Sequence, residues 1–138
     1  MSTLTLDNTG TETILRNWLT VINRLFQTVE HWADESGWQA EYSAEEVREQ
    51  GFGSYQVPVL LLSIPEIPNA QIIMEPQAAT AGGRGRIKMY ASDSLYRVRL
   101  LPGTNDEWTI LTDSGISLHD PWDKKTFTTL AKDLLRAE

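Results

Sequence analysis

The sequence predicts an α+β protein: an antiparallel meander sheet of five to six strands, with N-terminal and C-terminal helices packed on one face. Three observations predict this class. Apolar residues recur every three to four positions near both ends of the 138-residue chain. Between Trp38 and Asp113 the apolar spacing changes to about two, the period of a strand. The connections in this middle region are too short for crossover helices, so successive strands should pair antiparallel.

The first predicted helix carries a long apolar stripe with polar residues between its members. The stripe consists of Ile14, Leu15, Trp18, Val21, Ile22, Leu25, Phe26, Val29, Trp32 and Ala33. Thr9-Gly-Thr-Glu12 fits a capping box, which predicts that the helix starts there and that residues 1–10 form a flexible N-terminus. Gly37 is placed to end the helix in a left-handed conformation. Residues 11–138 are predicted to form one domain.

Six segments of the middle region have the pattern of strands. They are residues 38–43, 55–63, 70–76, 85–91, 95–101 and 107–112. Whether 38–43 joins the sheet is left open, and residues 45–50 are compatible with a short helical turn. Ser92-Asp-Ser94 predicts a tight hairpin between two strands.

The last predicted helix follows Asp120-Pro121, a pair that is typical of a helix start. Its apolar stripe consists of Phe127, Leu130, Ala131, Leu134 and Leu135. The two terminal helices can therefore bury one face of the sheet between them.

Composition excludes several kinds of chemistry. The chain has no cysteine, so it can form no disulfide, thiolate zinc site or cysteine nucleophile. Its start lacks the pattern of a secretory signal, and its longest apolar run, Val57 to Leu62, is far shorter than the roughly 20 residues of a membrane span. We expect a cytoplasmic protein without a membrane span, metal or cofactor.

Charge is unevenly distributed along the chain. The net charge is −7, but the segment from Arg84 to Arg99 holds five cations and a single acid, Asp93. Residues 30–49 hold seven acids against one cation, Arg48. Any polyanion should therefore be bound by the basic segment, because the rest of the protein repels it.

Strand alternation predicts a cationic face. On the strands around residues 85–91 and 95–101, alternate residues share a face, away from the helices. The predicted binding residues on that face are Arg84, Arg86, Lys88, Tyr90, Arg97 and Arg99. The alternative is an ordinary solvated strand face, neutralised by Glu75, Asp106 or Glu107 on adjacent strands.

The glycine-rich stretch TAGGRGRIKMY does not fit a nucleotide-binding loop. A P-loop needs Gly-Lys-Ser/Thr followed by a helix. This stretch lacks that sequence, and a strand is predicted after Gly85. Its glycines are interpreted as a mobile connection beside the cationic face.

The sequence leaves three functions open. The first is a non-enzymatic accessory or adaptor protein, a subunit or assembly factor that docks on another protein through the basic strands 84–99, the acidic segment 30–49 or both. The same surfaces could support self-association, so the oligomeric state is open. The second is binding of an anion or nucleic acid by the basic hairpin. The third is metal-assisted hydrolysis at His119 and its neighbouring carboxylates.

The five tryptophans divide into two groups. Trp18 and Trp32 lie on the apolar stripe of the first helix and are predicted to be in the core. Trp38, Trp108 and Trp122 lie at the ends of elements, where they could be packed at the core edge or serve as interface anchors.

Overall fold

The computed structural model describes residues 2–79, 85–104, 107–112, 117–118 and 121–136, with side chains at all of these except residues 2–11, 117–118 and 136. The elements in chain order are α1 (Ser2–Glu35), β1 (Gln39–Glu49), β2 (Gly53–Ser63), β3 (Gln71–Pro76), β4 (Ile87–Ala91), β5 (Arg97–Pro102), β6 (Trp108–Thr112), β7 (Ser117–Leu118) and α2 (Lys124–Arg136).

The strands form one antiparallel sheet in the order β1-β2-β3-β4-β5-β6-β7. Each strand pairs with the next one along the chain, so the sheet is a simple meander. This confirms the predicted α+β class with terminal helices. The two-residue β7 adds a short seventh strand to the six that the sequence predicted.

The core lies between the two helices and one face of the sheet. Its largest fully buried side chains come from both helices and from strands β2 to β6. They include Phe26, Phe127, Leu60, Leu62, Ile72, Met74, Ile87, Met89, Leu100 and Ile110. Each such apolar side chain contributes roughly 1.5–3 kcal/mol relative to an exposed one, so this face of the sheet is fixed by burial.

Helix α1 differs from its prediction at the N-terminal end. Its backbone is helical from Ser2, so the Thr9-to-Glu12 capping pattern lies inside the helix and does not start it. Ile14, predicted to be on the buried stripe, is 47% exposed. Most of the remaining stripe residues are buried or half-buried as predicted.

The C-terminal end of α1 is a Schellman motif. Gly37 has φ of 78°, Trp38 N donates to Ala33 O at 2.8 Å, and Gly37 N donates to Asp34 O at 3.1 Å. These bonds satisfy carbonyls that the helix leaves unpaired. The predicted left-handed helix end at Gly37 is confirmed.

Strand β1 is longer than predicted. It joins the sheet and pairs with β2 through eleven consecutive positions, from Gln39 opposite Ser63 to Glu49 opposite Gly53. The helical turn suggested for residues 45–50 is therefore wrong. The pairing with β2 continues to the end of β1. The tight turn at residues 50–52 is closed by Phe52 N, which donates to Glu49 O at 2.9 Å.

Gly85 has a packing role that the sequence did not predict. Its φ is 87°, and a β-carbon added there would lie 2.8–2.9 Å from the ring of Trp18. The indole packs directly on the backbone at this point, which only glycine permits. The other two glycines of the stretch, and Arg84, lie outside the described residues.

Helix α2 begins at Lys124 and is capped by Asp123. Thr126 N donates to Asp123 Oδ1 at 2.8 Å, the bond from the third helical residue that an N-cap accepts. Strong hydrogen bonding to the carboxylate from the Thr126 backbone holds the pKa of Asp123 below its usual value. The start signal at Pro121 thus lies just before the helix.

Aromatic residues join the two helices. The ring of Trp32 on α1 lies 5.7 Å from Phe127 on α2 and 5.8 Å from Trp122, distances typical of favourable ring pairs. Trp38 and Trp108 are buried, so of the two alternatives left open, packing at the core edge holds for these two and the interface anchor does not. Both fill the core at element ends.

Candidate functional site

The two cationic rows meet as the sequence predicted. Strands β4 and β5 pair with Lys88 opposite Arg99 and Tyr90 opposite Arg97. Their neighbours Met89 and Val98 are buried against the helices, so alternation turns the cationic rows to the opposite side of the sheet. We call this surface, made of Arg86, Lys88, Tyr90, Arg97 and Arg99, the cationic face; Arg84 lies outside the described residues.

The fifth strand starts later than predicted. Residues 95–101 were predicted to be extended, but β5 begins at Arg97 and Tyr96 is 53% exposed. The connection between β4 and β5 is thus longer than the predicted three-residue hairpin. It contains the bond from Ser94 N to Ala91 O at 3.2 Å.

Glu75 is the acid that borders the cationic face from the neighbouring strand β3. It lies opposite Lys88 in the β3–β4 ladder, and its Oε1 is 3.5 Å from Lys88 Nζ. Its other oxygen accepts a hydrogen bond from the hydroxyl of Tyr90 at 3.0 Å. The side chains of Lys88 and Glu75 are 18% and 19% exposed, so this pair is less screened by water than a surface salt bridge.

Tyr90 organises the cations around it. Lys88 Nζ lies 5.0 Å from the centre of its ring, and Arg97 Cζ lies 5.7 Å from it. Both distances are within the range of cation–π attraction. Burial and the hydrogen bond to Glu75 raise the pKa of Tyr90, so the hydroxyl remains a donor at neutral pH.

Arg86 extends the face beyond the end of β4. Its carbonyl accepts from Gln77 N at 2.9 Å, which continues the β3–β4 ladder by one pair. Its Nε is buried and has no hydrogen-bond partner among the residues described. A buried donor without an acceptor costs roughly 1–3 kcal/mol, which an acceptor from a partner or from water would recover.

A second acid, Glu45, reaches this side of the sheet from β1. Its pKa is raised by partial burial and by the charge of Glu75, while Lys88 acts in the opposite direction. Between these strands lies Val59 of β2, which is only 5% exposed although alternation from the buried Leu60 turns it away from the helices. The face is therefore more enclosed than a flat, solvated strand surface.

The structure shows one of the acids that were predicted to neutralise the cationic face. Glu75 pairs with Lys88, as the solvated-face alternative anticipated, while Asp106 lies outside the described residues. Sequence reasoning missed Glu45, because that residue was assigned to a helical turn. A strand assignment for residues 45–50 would have placed it on the same side as Glu75.

The acidic segment divides between the end of α1 and strand β1. Glu30, Asp34 and Glu41 line a groove of about 650 Å³ between these elements. Tyr42, the next residue of β1, donates its hydroxyl to Glu30. No group of three or more potential metal ligands occurs among the described residues.

The hydrolase alternative depends on His119, which lies outside the described residues. It stays a prediction without structural geometry. No helix within the part of the chain that the structure covers is long and apolar enough to cross a membrane.

Comparisons with known proteins give no relative for this chain. No protein-family model matches it, and neither a curated protein nor a solved structure matches it at a significant level.

Proposed function

We propose that this protein is a non-enzymatic accessory protein, a subunit or assembly factor, that binds an acidic segment of another protein on its cationic face. The observation that carries the proposal is the placement of Arg86, Lys88, Arg97 and Arg99 on the same side of two adjoining strands, where Lys88 and Arg97 flank Tyr90. Two carboxylates, Glu45 and Glu75, lie on the same side of the sheet, and both interact with Lys88. The excess of positive charge favours an anionic partner.

Carboxylates are the anions that fit this surface best. Arginine binds a carboxylate through two parallel hydrogen bonds, and its planar group needs a rigid setting to do so. Here the arginines project from strands whose opposite side is fixed in the core. A peptide rich in Asp and Glu can place its carboxylates between the cations and avoid Glu75.

A polyanion of uniform charge fits less well. A nucleic acid carries phosphates at short, regular intervals, and it would approach Glu45 and Glu75 as closely as it approaches the cations. The aromatic ring of Tyr90 is already flanked by Lys88 and Arg97. Nucleic-acid binding is therefore the second candidate function, and the experiment below distinguishes it from peptide binding.

The test compares three fluorescent probes: a short Asp/Glu-rich peptide, a single-stranded oligonucleotide and inorganic polyphosphate. Binding is measured by anisotropy at low and high salt for the wild type and for the Arg86→Gln/Arg97→Gln variant. The control is Arg16→Gln/Lys125→Gln, which removes the same charge from exposed helix positions. We expect the first variant to weaken peptide binding about tenfold, or about 1.4 kcal/mol, and the control to weaken it less than twofold.

Two results would contradict the proposal. Equal losses in both variants would mean that the peptide responds only to net charge. Tighter binding of the oligonucleotide than of the peptide, lost in the same variant, would establish the second candidate. Circular dichroism of both variants checks that they remain folded.

A further inference from the structure

The strand β1 leaves one long edge of the sheet open. It is the first strand in the sheet order and pairs on one side with β2; in the described part of the chain no strand pairs with its other side. All residues from Glu41 to Glu46 are exposed. Backbone donors and acceptors along this side can therefore pair with another extended chain.

Most of the usual obstacles to edge pairing are missing from β1. Protein edges are commonly shortened, bulged, covered or interrupted by proline. Strand β1 has eleven residues and no proline, and its register with β2 is unbroken over its whole length. Charged side chains are the remaining obstacle to edge pairing, and their sign determines which kind of strand can pair with β1.

The charge of β1 disfavours a second copy of the same strand. Its four glutamates face a single cation, Arg48, and two such strands side by side would repel each other. The same charge attracts a cationic strand. We call the unpaired side of β1 the acidic edge.

Two glutamates are placed to select such a strand. Arg48 Nε already contacts Glu46 Oε1 at 3.3 Å, and Glu49 accepts hydrogen bonds from Tyr55 and Ala79. Glu41 and Glu45 are four residues apart, so both point to the same side of the sheet. A cation beside Glu45 would also offset the like charge of Glu75.

We propose that the acidic edge binds an extended cationic segment of a partner protein as an additional strand, with Lys or Arg at two positions four residues apart opposite Glu41 and Glu45. Backbone hydrogen bonds to β1 supply the pairing, and the two ion pairs set the register. This site lies on a different strand from the cationic face, although the charge of Glu45 also acts on Lys88 of that face.

The probe is a short fluorescent peptide in which Lys alternates with Thr and Val. Two further versions carry backbone N-methyl groups on alternate residues, one on the odd and one on the even positions. Because a strand presents successive N–H groups to opposite sides, one N-methyl version should bind at least tenfold more weakly and the other nearly as well as the parent. Equal binding of all three, or no binding of the parent, would overturn the proposal.

The protein variant is Glu41→Gln/Glu45→Gln, and its matched control is Glu12→Gln/Glu66→Gln at exposed positions outside β1. We expect the first to weaken binding of the parent peptide about five- to tenfold and the control to change it less than twofold. Equal effects would overturn the proposed register.

Two measurements distinguish strand addition from loose charge attraction and from self-association. Hydrogen exchange with the parent peptide bound should slow at β1 amides; unchanged exchange there would contradict strand addition. Sedimentation of the protein alone detects a dimer, and a dimer that the peptide dissociates would assign the edge to a second copy.

The Arg86→Gln/Arg97→Gln variant should bind this peptide as tightly as the wild type does. Failure of the proposed function would therefore leave the test of the acidic edge unaffected.

Discussion

Single residues explain local features that composition alone leaves ambiguous. Gly85 lies in a stretch that resembles a flexible connection by its content of glycine. The structure packs the ring of Trp18 on its backbone, so the residue is required by contact as well as by its positive φ. The role of Tyr90 likewise depends on its position, because its ring lies between the cations of Lys88 and Arg97.

Gly85→Ala should lower the free energy of unfolding by about 2–6 kcal/mol. A β-carbon there would lie closer to the Trp18 ring than van der Waals contact allows. Overpacking and a left-handed backbone each cost about 1–3 kcal/mol. The measurement is equilibrium denaturation in urea.

The control for that substitution is Gly51→Ala. Gly51 also has a positive φ, 92°, but a β-carbon added there meets nothing within 4 Å. Gly51→Ala should lower the free energy of unfolding only by the cost of the left-handed backbone, about 1–3 kcal/mol. Equal losses at the two positions would show that the Trp18 contact contributes nothing.

Asp123 should stabilise α2 in a pH-dependent way. Its pKa is lowered in the folded protein by the hydrogen bonds from Thr126, so its contribution is present above the ordinary Asp pKa and is lost as the pH falls through the folded value. The thermal midpoint of Asp123→Ala should lie below that of the wild type at neutral pH, and this difference should narrow as the pH falls below the ordinary Asp pKa of about 3.9. Asp123→Asn retains the capping oxygen without the charge, so the difference between its thermal midpoint and that of Asp123→Ala should not change with pH. If the difference between the wild type and Asp123→Ala were also independent of pH, the charge of Asp123 would have no role.

At the scale of elements, the hairpin of β1 and β2 is held at its turn by one carboxylate. Glu49 Oε1 accepts from the Tyr55 hydroxyl at 2.7 Å and from Ala79 N at 2.7 Å. The second bond reaches the segment after β3, so Glu49 ties the hairpin to the rest of the sheet. Burial and the bond to Glu49 raise the pKa of Tyr55 above its ordinary value.

Tyr55→Phe should lower the free energy of unfolding by about 1 kcal/mol at neutral pH, the value of a partly buried hydrogen bond. The wild type should also lose stability above about pH 10, because a tyrosine whose pKa is raised by folding ionises first in the unfolded chain. Denaturation curves across the alkaline range should show a shallower decline for the variant. Tyr96→Phe, at an exposed ring, controls for hydroxyl loss at neutral pH.

At the scale of the whole molecule, opposite charges are separated across one sheet. The cationic face lies on β4 and β5 in the middle of the meander, and the acidic edge lies on β1 at its end. Glu75 on β3 stands between them and pairs with Lys88. This carboxylate competes with any acidic partner for the cationic face.

Glu75→Gln should therefore strengthen binding of the Asp/Glu-rich peptide about three- to tenfold. The substitution releases Lys88 and removes a repulsive charge, and binding should become more sensitive to salt. Anisotropy titrations at two salt concentrations measure both effects. Weaker binding would mean that Glu75 is needed to position Lys88 and Tyr90; Glu66→Gln is the control.

The residues themselves predicted much of the architecture. The apolar periods of α1, α2 and the central strands were sufficient for the class and the strand order, and alternation placed Lys88 with Arg99 and Tyr90 with Arg97. Errors arose where local signals compete with long-range pairing. The segment 45–50 has little strand character by itself, and only its ladder with β2 makes it extended.

What the sequence by itself determined is therefore the α+β class, the meander and the side on which the cations lie, because periodicity and short connections leave few alternatives. Tertiary structure decided the length of β1, the contact of Gly85 with Trp18, the burial of Trp38 and Trp108, and the approach of Glu45 to Glu75. Each of these depends on residues distant in the chain, whose meeting is set by packing of the whole sheet against the helices.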